Sequence, residues 1–315
     1  MSKRKVVRRL KKTIKLFLAI IVIVIILFGV FKHKKNNDIE VKDKEVISFQ
    51  ECMSLPASSL DIEEDKEILI NYLNQYQVSL YYENLGDGFT FAYNETKTYY
   101  AASTVKLLYA LYLFDMASQN KIDLDEKIKY EQKNQESFSD EMSKFKVGSM
   151  HSIRDLIKYS LTVSDNTAYV MLAQYVGRNT IRTYAREFGM NVFATTDDDW
   201  GDLDANDANI LLNKVYAFIS NNEELGKELK ADMSGTKNNY LQNATEDLVI
   251  HKYGWWAPIF HQIGIVYNEY PYSIAVLTEH GYNSEYKTVV KNIHLQVIKF
   301  HHKYIEIKEE YCLNQ

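Results

Sequence analysis

The chain has 315 residues, of which 25% are charged and 46% are hydrophobic, and this balance excludes a disordered polymer, a collagen-like repeat and a membrane protein with many spans. Lysine and arginine total 37 against 42 aspartates and glutamates, so the formal net charge is -5 and gives no indication of a nucleic-acid-binding surface. Two cysteines are too few for a disulfide scaffold or a four-cysteine zinc site.

The N-terminal stretch predicts a membrane anchor. Residues 16–31 carry no charged side chain, and as a helix they extend about 24 Å, which Lys15 and Lys32 can lengthen by snorkelling. The basic tail at 1–15 is more strongly charged than the segment after the apolar run, so we expect the tail in the cytoplasm and the catalytic domain outside the cell membrane. A cleaved signal peptide begins similarly, but no small-residue cleavage site follows, which favours an uncleaved anchor.

A charged, irregular tether is predicted at 32–60, and residues 61–315 suffice for one domain with a sizeable core. In chain order the patterns predict a helix at 61–75, strands at 78–85 and 89–93, helices at 103–116, 152–161, 167–175, 180–188 and 206–219, strands at 248–251, 264–267 and 272–278, and a helix at 284–307. The first helix should bury Ile68, Leu69 and Leu73. Strands near both chain ends with helices between them predict an α+β fold around an antiparallel sheet.

Ser103 and Lys106 are the first candidate catalytic residues. They form an S-x-x-K pattern at the start of the predicted helix 103–116, which is apolar nearly all round and should be buried. The spacing of three residues places the lysine amine near the serine hydroxyl. A desolvated lysine with a lowered pKa can take the serine proton and turn the hydroxyl into a nucleophile. Alone, the pattern favours a simpler interpretation, a helix-capping serine with a snorkelling lysine.

Two further motifs follow. A Ser-Asp-Asn run at 164–166 falls in a break between two predicted helices, where these residue types also serve as ordinary helix caps. Lys252, Tyr253 and Gly254 form a K-x-G pattern on a late predicted strand. S-x-x-K, S-D-N and a K-x-G strand, in this order, are the three elements of the penicillin-recognising serine enzymes.

On these motifs the chain resembles the class A β-lactamase and low-molecular-weight penicillin-binding-protein superfamily over residues 61–312. The runs YYAASTVKLLYALYLF and SIRDLIKYSLTVSDNTA around the first two motifs are especially similar to the family. The resemblance implies a three-layer α/β/α sandwich subdomain with an all-helical subdomain inserted at about 100–225. It implies a mechanism without a cofactor, and we identify no metal site in the sequence.

The catalytic roles are implied by the resemblance. Ser103 would be the acylated nucleophile, Lys106 its activating base, and Ser164 the relay of the proton to the leaving nitrogen. The substrates implied are β-lactams or the D-Ala-D-Ala-like stem peptides of the cell wall.

The binding roles are implied in the same way. Asn166 would hydrogen-bond the substrate amide, Lys252 would supply positive charge for the substrate carboxylate, and the N–H of Trp255 would join that of the nucleophile in an oxyanion hole. Tyr253, beside Gly254, departs from the family, which carries serine or threonine there, so a bulky phenol replaces a small hydroxyl that would bind the carboxylate.

The glutamate that activates the deacylating water in class A β-lactamases is missing. Between the second and third motifs the single Leu-Asn pair is Leu212-Asn213, and Asn209 stands where the glutamate should be. The preceding loop is short and carries an acidic run, favoured as a solvated loop, although one of its members could position water. This run is made up of Asp197, Asp198, Asp199, Asp202 and Asp204. Acylation is therefore better supported than efficient hydrolysis.

Other signals are weaker. His301 and His302 are expected on the solvated face of the last helix. Trp255 and Trp256 could either line a substrate groove or fill the core. The resemblance brings the terminal helices together, and a disulfide between the two cysteines, at positions 52 and 312, would then be possible outside the cell.

The sequence thus predicts a membrane-anchored serine acyl hydrolase. One alternative is a catalytically impaired module that binds penicillin or wall peptides, which the tyrosine and the missing glutamate would suit. A purely structural membrane protein would require all three motifs to be coincidental.

Overall fold

The computed structural model describes residues 48–56, 60–196, 200–280 and 284–314. The predicted basic tail and anchor lie outside these residues, as do Asp197, Asp198 and Asp199. None of the helices in the described part is both long enough and apolar enough to cross a bilayer.

The strands near the two ends of the domain form a single antiparallel sheet. In chain order the strands are β1 (Val78–Asn84), β2 (Thr90–Tyr93), β3 (Tyr99–Tyr100), β4 (Lys127–Lys129), β5 (Met150–Ser152), β6 (Asp202–Leu203), β7 (Leu248–Trp256), β8 (Ile259–Tyr267) and β9 (Tyr272–Thr278). The five-stranded sheet has the order β2-β1-β9-β8-β7, while β3 pairs with β6 and β4 pairs with β5. Every residue of the central strand β9 is buried, as a continuous apolar run predicts, and β7 is left as an edge strand.

Helices flank both faces of this sheet. They are α1 (Phe49–Ser54), α2 (Glu63–Leu73), α3 (Val105–Ser118), α4 (Ile153–Thr162), α5 (Asn166–Val176), α6 (Arg178–Glu187), α7 (Asn191–Thr195), α8 (Ala205–Asn221), α9 (Glu223–Ser234) and α10 (Ser284–Leu313). Ser152, Asp165 and Asp204 cap α4, α5 and α8, each accepting a hydrogen bond from the backbone N–H three residues later.

Two apolar cores lie on the two sides of the sheet. On one side α10 packs with α1 and α2, and its Ile293 and Val297 join Leu73 and Val276 in one core. On the other side α8 packs against β1, β8 and β9, and α3 is buried on nearly all sides within the helical part, as its all-round apolar sequence predicts. The predicted α+β fold of helices around an antiparallel sheet is confirmed.

Several local predictions are wrong. Ile68 is 57% exposed, although Leu69 and Leu73 on the same helix are buried. The segment expected to be an irregular tether contains α1, and the polar helix α9 was not predicted. His301 is buried and hydrogen-bonded to Tyr82, whereas the neighbouring histidine is exposed.

A disulfide and a buried ion pair fasten the first and last described segments together. Cys52 in α1 is bonded to Cys312 in α10, which closes a loop with a sequence separation of 260. Nearby, the Asp87 carboxylate at the turn between β1 and β2 accepts hydrogen bonds from the Lys308 ammonium and the Tyr304 hydroxyl. The ion-paired side chains are 1% and 0% exposed, so removing either charge leaves the other buried without a counter-charge.

We expect Asp87→Asn to lower the free energy of unfolding by about 3–5 kcal/mol, because it leaves the buried Lys308 ammonium unpaired. Urea unfolding followed by circular dichroism measures the change. Glu131→Gln, which breaks an exposed ion pair with Lys133, is the control, with an expected change of at most about 1 kcal/mol. Equal effects of the two substitutions would contradict this assignment.

Candidate active site

Ser103 lies in a short 3₁₀ turn, Ala102–Thr104, that leads directly into the buried helix α3. Ala102 has a φ of 47°, a left-handed conformation that is uncommon for a residue with a side chain. Thr104 fastens the turn from within, since its hydroxyl donates to the carbonyl of Ala101 at 2.6 Å. The nucleophile candidate is half-buried and borders a cleft, whereas its neighbours in the turn are buried.

Lys106, one turn later, points its amine at the second motif. The side chain is fully buried, and Nζ donates to the carbonyl of Ser164 at 2.6 Å, to its Oγ at 3.2 Å and to Asn166 Oδ1 at 2.7 Å. Within the part of the chain that the structure describes, the Lys106 amine makes no hydrogen bond to Ser103. Burial lowers the pKa of Lys106 to about 7, partly opposed by the negative charge of Asp165. Near neutral pH this amine is therefore present in both protonation states.

Asp165 holds the second motif in place. One carboxylate oxygen caps α5, and the other accepts hydrogen bonds from the backbone N–H groups of Glu141 and Met142, both at 2.9 Å. Ser164, immediately before it, has a φ of 59° and is buried. The carboxylate thus fixes the loop that aims the serine at the two lysines.

Lys252 belongs to the third motif, on the edge strand β7, and its amine contacts the same serine. It is fully buried, and its Nζ donates to Ser164 Oγ at 3.0 Å and to the carbonyl of Tyr253 at 2.9 Å. Burial and the neighbouring charge of Lys106 hold the pKa of Lys252 well below its usual value. Because the serine oxygen accepts from both amines, both of its lone pairs are occupied and its own proton can point towards a substrate.

Gly254 allows β7 to approach the nucleophile turn. A Cβ at this position would lie 2.8 Å from the carbonyl oxygen of Ala101 and 3.1 Å from the backbone nitrogen of Thr104. No side chain larger than hydrogen fits between the strand and the turn. This contact brings the third motif against the first.

Aromatic side chains form much of the cleft wall. Trp255 and Trp256 are exposed and line the cleft, which favours the groove interpretation over core filling, and the Trp255 ring contacts that of Phe138 at a centroid distance of 5.9 Å. The Tyr253 ring stacks on Phe260 and lies 4.3 Å from Lys252 Nζ. The cleft has a volume of about 380 Å³ and is lined by Tyr100, Ala102, Ser103, Glu136, Ser137, Phe138, Asp140, Val163, Ser164, Asn166, Trp200, Asn238, Tyr253, Trp255 and Trp256.

Trp200 is a site residue that the sequence analysis missed. Its ring lies 5.3 Å from Lys106 Nζ, and it packs against the ring of Tyr169 at a centroid distance of 4.6 Å. The available signal was a lone tryptophan beside a glycine in the loop where the family carries its deacylating glutamate.

The described residues of the acidic run and of the Leu-Asn segment make structural hydrogen bonds. Asp204 is a buried helix cap rather than a solvated loop residue, and Asp202 accepts a hydrogen bond from the Thr196 hydroxyl at 3.1 Å. Asn209 and Asn213 donate to the same carboxylate oxygen of Glu83 at 2.6 and 2.7 Å. This part of α8 is therefore an anchor to the sheet.

The chain is similar to known proteins over most of this domain. Residues 63–300 match the sequence profile of a family described as the beta-lactamase enzyme family. Beta-lactamase SME-1 of Serratia marcescens is 27% identical over 177 residues, covering 54% of this chain and 59% of that relative. The match thus spans less than two thirds of the relative's length.

Solved structures share the fold. A mutant of PBP-A, as its acyl-enzyme complex with penicillin G, has a TM-score of 0.70 at 17% identity, covering 77% of this chain and 97% of that one. An ancestral class A beta-lactamase (GNCA) has a TM-score of 0.67 at 19% identity, covering 75% and 99%. The extended-spectrum beta-lactamase TLA-1 has a TM-score of 0.67 at 20% identity, covering 76% and 98%.

We expect Gly254→Ala to lower the free energy of unfolding by about 1–3 kcal/mol, because the new methyl group forces β7 away from the nucleophile turn. Urea unfolding measures the loss. Gly235→Ala is the matched control, since its added Cβ would meet Thr162 only at 3.4 Å. A Gly254→Ala variant as stable as this control would show that the close approach is not required.

Proposed function

Since the chain belongs to the beta-lactamase enzyme family, we propose that it is a serine hydrolase whose Ser103 is acylated by β-lactams or by D-Ala-D-Ala-like wall peptides. The observation that carries the proposal is the convergence of the motifs. Ser103 borders a cleft, while the buried amines of Lys106 and Lys252 both donate to one hydroxyl, that of Ser164, which lines the same cleft.

Acylation follows from these contacts. The neutral amine of Lys106 exchanges one of its present bonds for the hydroxyl of Ser103 and takes its proton, while the serine Oγ attacks the substrate carbonyl carbon. The carbon–nitrogen bond breaks, and the leaving nitrogen receives the proton of Ser164, which is replaced from the lysine ammonium. The substrate carbon keeps its carbonyl oxygen and is now joined to Ser103 Oγ as an ester, the acyl-enzyme, and no further reactant is required.

Other groups are proposed to orient the substrate. Asn166 donates one N–H to the carbonyl of Ser137 at 2.9 Å, which leaves its second N–H for a substrate amide. The backbone N–H groups of Ser103 and Trp255 would hold the oxyanion, a role supported by the close approach of β7 to the nucleophile turn. Lys252 is fully buried, so any attraction of a substrate carboxylate would act through space rather than by direct contact.

We further propose that the domain acts outside the cytoplasmic membrane, anchored by residues 16–31. The charge asymmetry around that apolar segment supports this orientation. The disulfide between Cys52 and Cys312 supports it independently, because disulfides persist mainly in oxidising compartments.

The proposal predicts a covalent adduct with penicillin. Intact-mass spectrometry of the full chain in detergent should show the mass of one added penicillin on the wild type and none on Ser103→Ala. An adduct on both proteins, or none on the wild type with either penicillin or a D-Ala-D-Ala thioester, would contradict acylation of Ser103. A binding module would also retain its biological effect in Ser103→Ala, which an enzyme would lose.

The acylation rate should rise with pH and level off above about pH 7, because the Lys106 amine must be neutral to accept the proton and its pKa is lowered to about 7. Below that pH the ammonium form predominates and the rate should fall about tenfold for each pH unit. Stopped-flow acylation by a chromogenic β-lactam measures the profile.

Burial lowers the pKa of the Lys106 amine and the charge of Asp165 raises it. Lys252 is the other buried titratable group that faces the same Ser164 hydroxyl. Lys106→Ala is the control, and its residual rate should lack the ascending limb. A wild-type rate that stays flat from about pH 5 to pH 9, or that has its midpoint near the ordinary lysine pKa, would contradict the role of this amine.

A further inference from the structure

Trp200 is held in a defined place beside the nucleophile turn. The carbonyl of Gly201 accepts a hydrogen bond from the N–H of Ala101 at 2.9 Å. Gly201 has a φ of 71°, and a Cβ there would clash with the ring of Phe193. The next two residues form β6, which pairs with β3 just before the turn. The backbone at 201–203 is thus fixed against the residues that directly precede the nucleophile turn.

The indole covers the amine of Lys106 from the loop side. Nζ lies 5.3 Å from the ring of Trp200 and 5.7 Å from the ring of Tyr169, both within the range of a cation–π contact. The two rings contact each other, and Tyr109 packs edge-on against Tyr169 at 5.3 Å. Trp200 also borders the cleft, so one side of the ring faces the space that a substrate would occupy.

The protein already satisfies the hydrogen-bonding capacity of this amine. An ammonium group has three donors, and Lys106 Nζ has three acceptors, the carbonyl and hydroxyl of Ser164 and the Oδ1 of Asn166. The rings of Trp200 and Tyr169 also face this amine, and an aromatic face gives an ordered water no hydrogen-bond acceptor of comparable strength. A buried water needs two to four polar partners, so this face of the amine is a poor water site.

Hydrolysis of an acyl-enzyme needs such a water. Its oxygen must attack the ester carbon while a base takes its proton, and the carbon–oxygen bond to Ser103 then breaks as the serine oxygen regains a proton. The carboxylates that line the cleft, Glu136 and Asp140, make no hydrogen bond to Ser103 or Lys106 within the described residues. Asp140 pairs instead with Lys237 at 3.3 Å.

We infer that Trp200 excludes water from the face of Lys106 that borders the acylated serine, and so sets a long lifetime for the acyl-enzyme. The inference rests on the proposed acylation of Ser103. It assigns Trp200 a positioning role in the second half of the reaction and none in the first. Such a site forms a long-lived acyl-enzyme and retains the acyl group longer than a hydrolytic β-lactamase does.

The test is the decay of the penicillin adduct on the full chain in detergent, followed by intact mass after excess penicillin is removed. Trp200→Ala should shorten the adduct lifetime by about tenfold or more, since general-base assistance to water contributes at least this much. The acylation rate should change far less than the decay rate, which separates water access from a general loss of structure. Trp200→Phe, which keeps an aromatic cover, should restore a long lifetime.

Phe49→Ala is the control, because Phe49 is an aromatic side chain that is 38% exposed and does not line the cleft. Its adduct should decay at the wild-type rate. If Trp200→Ala cannot be acylated, Trp200→Leu uncovers part of the amine and should give a smaller acceleration in the same assay.

The outcomes separate the two proposals. Absence of an adduct on the wild type contradicts the proposed function. An adduct that forms on the wild type but decays equally fast in the wild type, in Trp200→Ala and in Trp200→Leu contradicts the role of Trp200 alone. Equal acceleration in Phe49→Ala would also overturn it, since the effect would then not depend on the cleft.

Discussion

Two lysine amines buried around one serine hydroxyl are the constraint on which the site depends. Lys106 and Lys252 have no exposed surface, and both donate to Ser164 Oγ. Two like charges in a poorly solvated space cannot both be retained without a large electrostatic penalty, so burial favours the loss of a proton. The same unfavourable contact that would destabilise an ordinary core gives this site an amine able to accept a proton near neutral pH.

This arrangement demands an accurately built frame, and the frame is supplied by backbone contacts. Gly254 lets β7 touch the nucleophile turn, and Asp165 ties the second motif to the segment at 141–142. Ala102, which precedes Ser103, and Ser164 both have left-handed φ angles. Unfavourable backbone conformations persist only where the surrounding structure holds them, and here they lie on either side of Lys106.

Much of the fold could be predicted because its elements have strong periodicity or an unbroken apolar character. The central strand β9 was predicted with its observed bounds, and α3 was placed in the core because no face of it is polar. Helix α9 was missed because its sequence is polar and contains a glycine, which usually disfavours a helix. Gly226 is required there because a Cβ would lie within 3 Å of the backbone of Ile219.

The candidate site was predictable to the extent that its residues occur in short motifs. The periodic part of β7 was predicted to end at His251, although the K-x-G pattern was placed on a late strand. Gly254 looks unlike a strand residue until the turn that it contacts is known. Trp200 belongs to no motif, and only the fold brings its ring to Lys106. Ile68 was wrongly predicted to be buried, because the spacing of apolar residues in a helix does not show how much of its surface the neighbouring elements cover.

The disulfide between Cys52 and Cys312 closes the chain between these residues into a covalent ring. A protease that cuts one exposed loop between these residues would open the chain without releasing either piece, since each piece stays attached through the cystine. Any fragment carrying the cleft would thus remain linked to the segment that precedes α1. Shedding of the domain by proteolysis therefore requires a cut before Cys52, two cuts within the loop, or reduction of the disulfide.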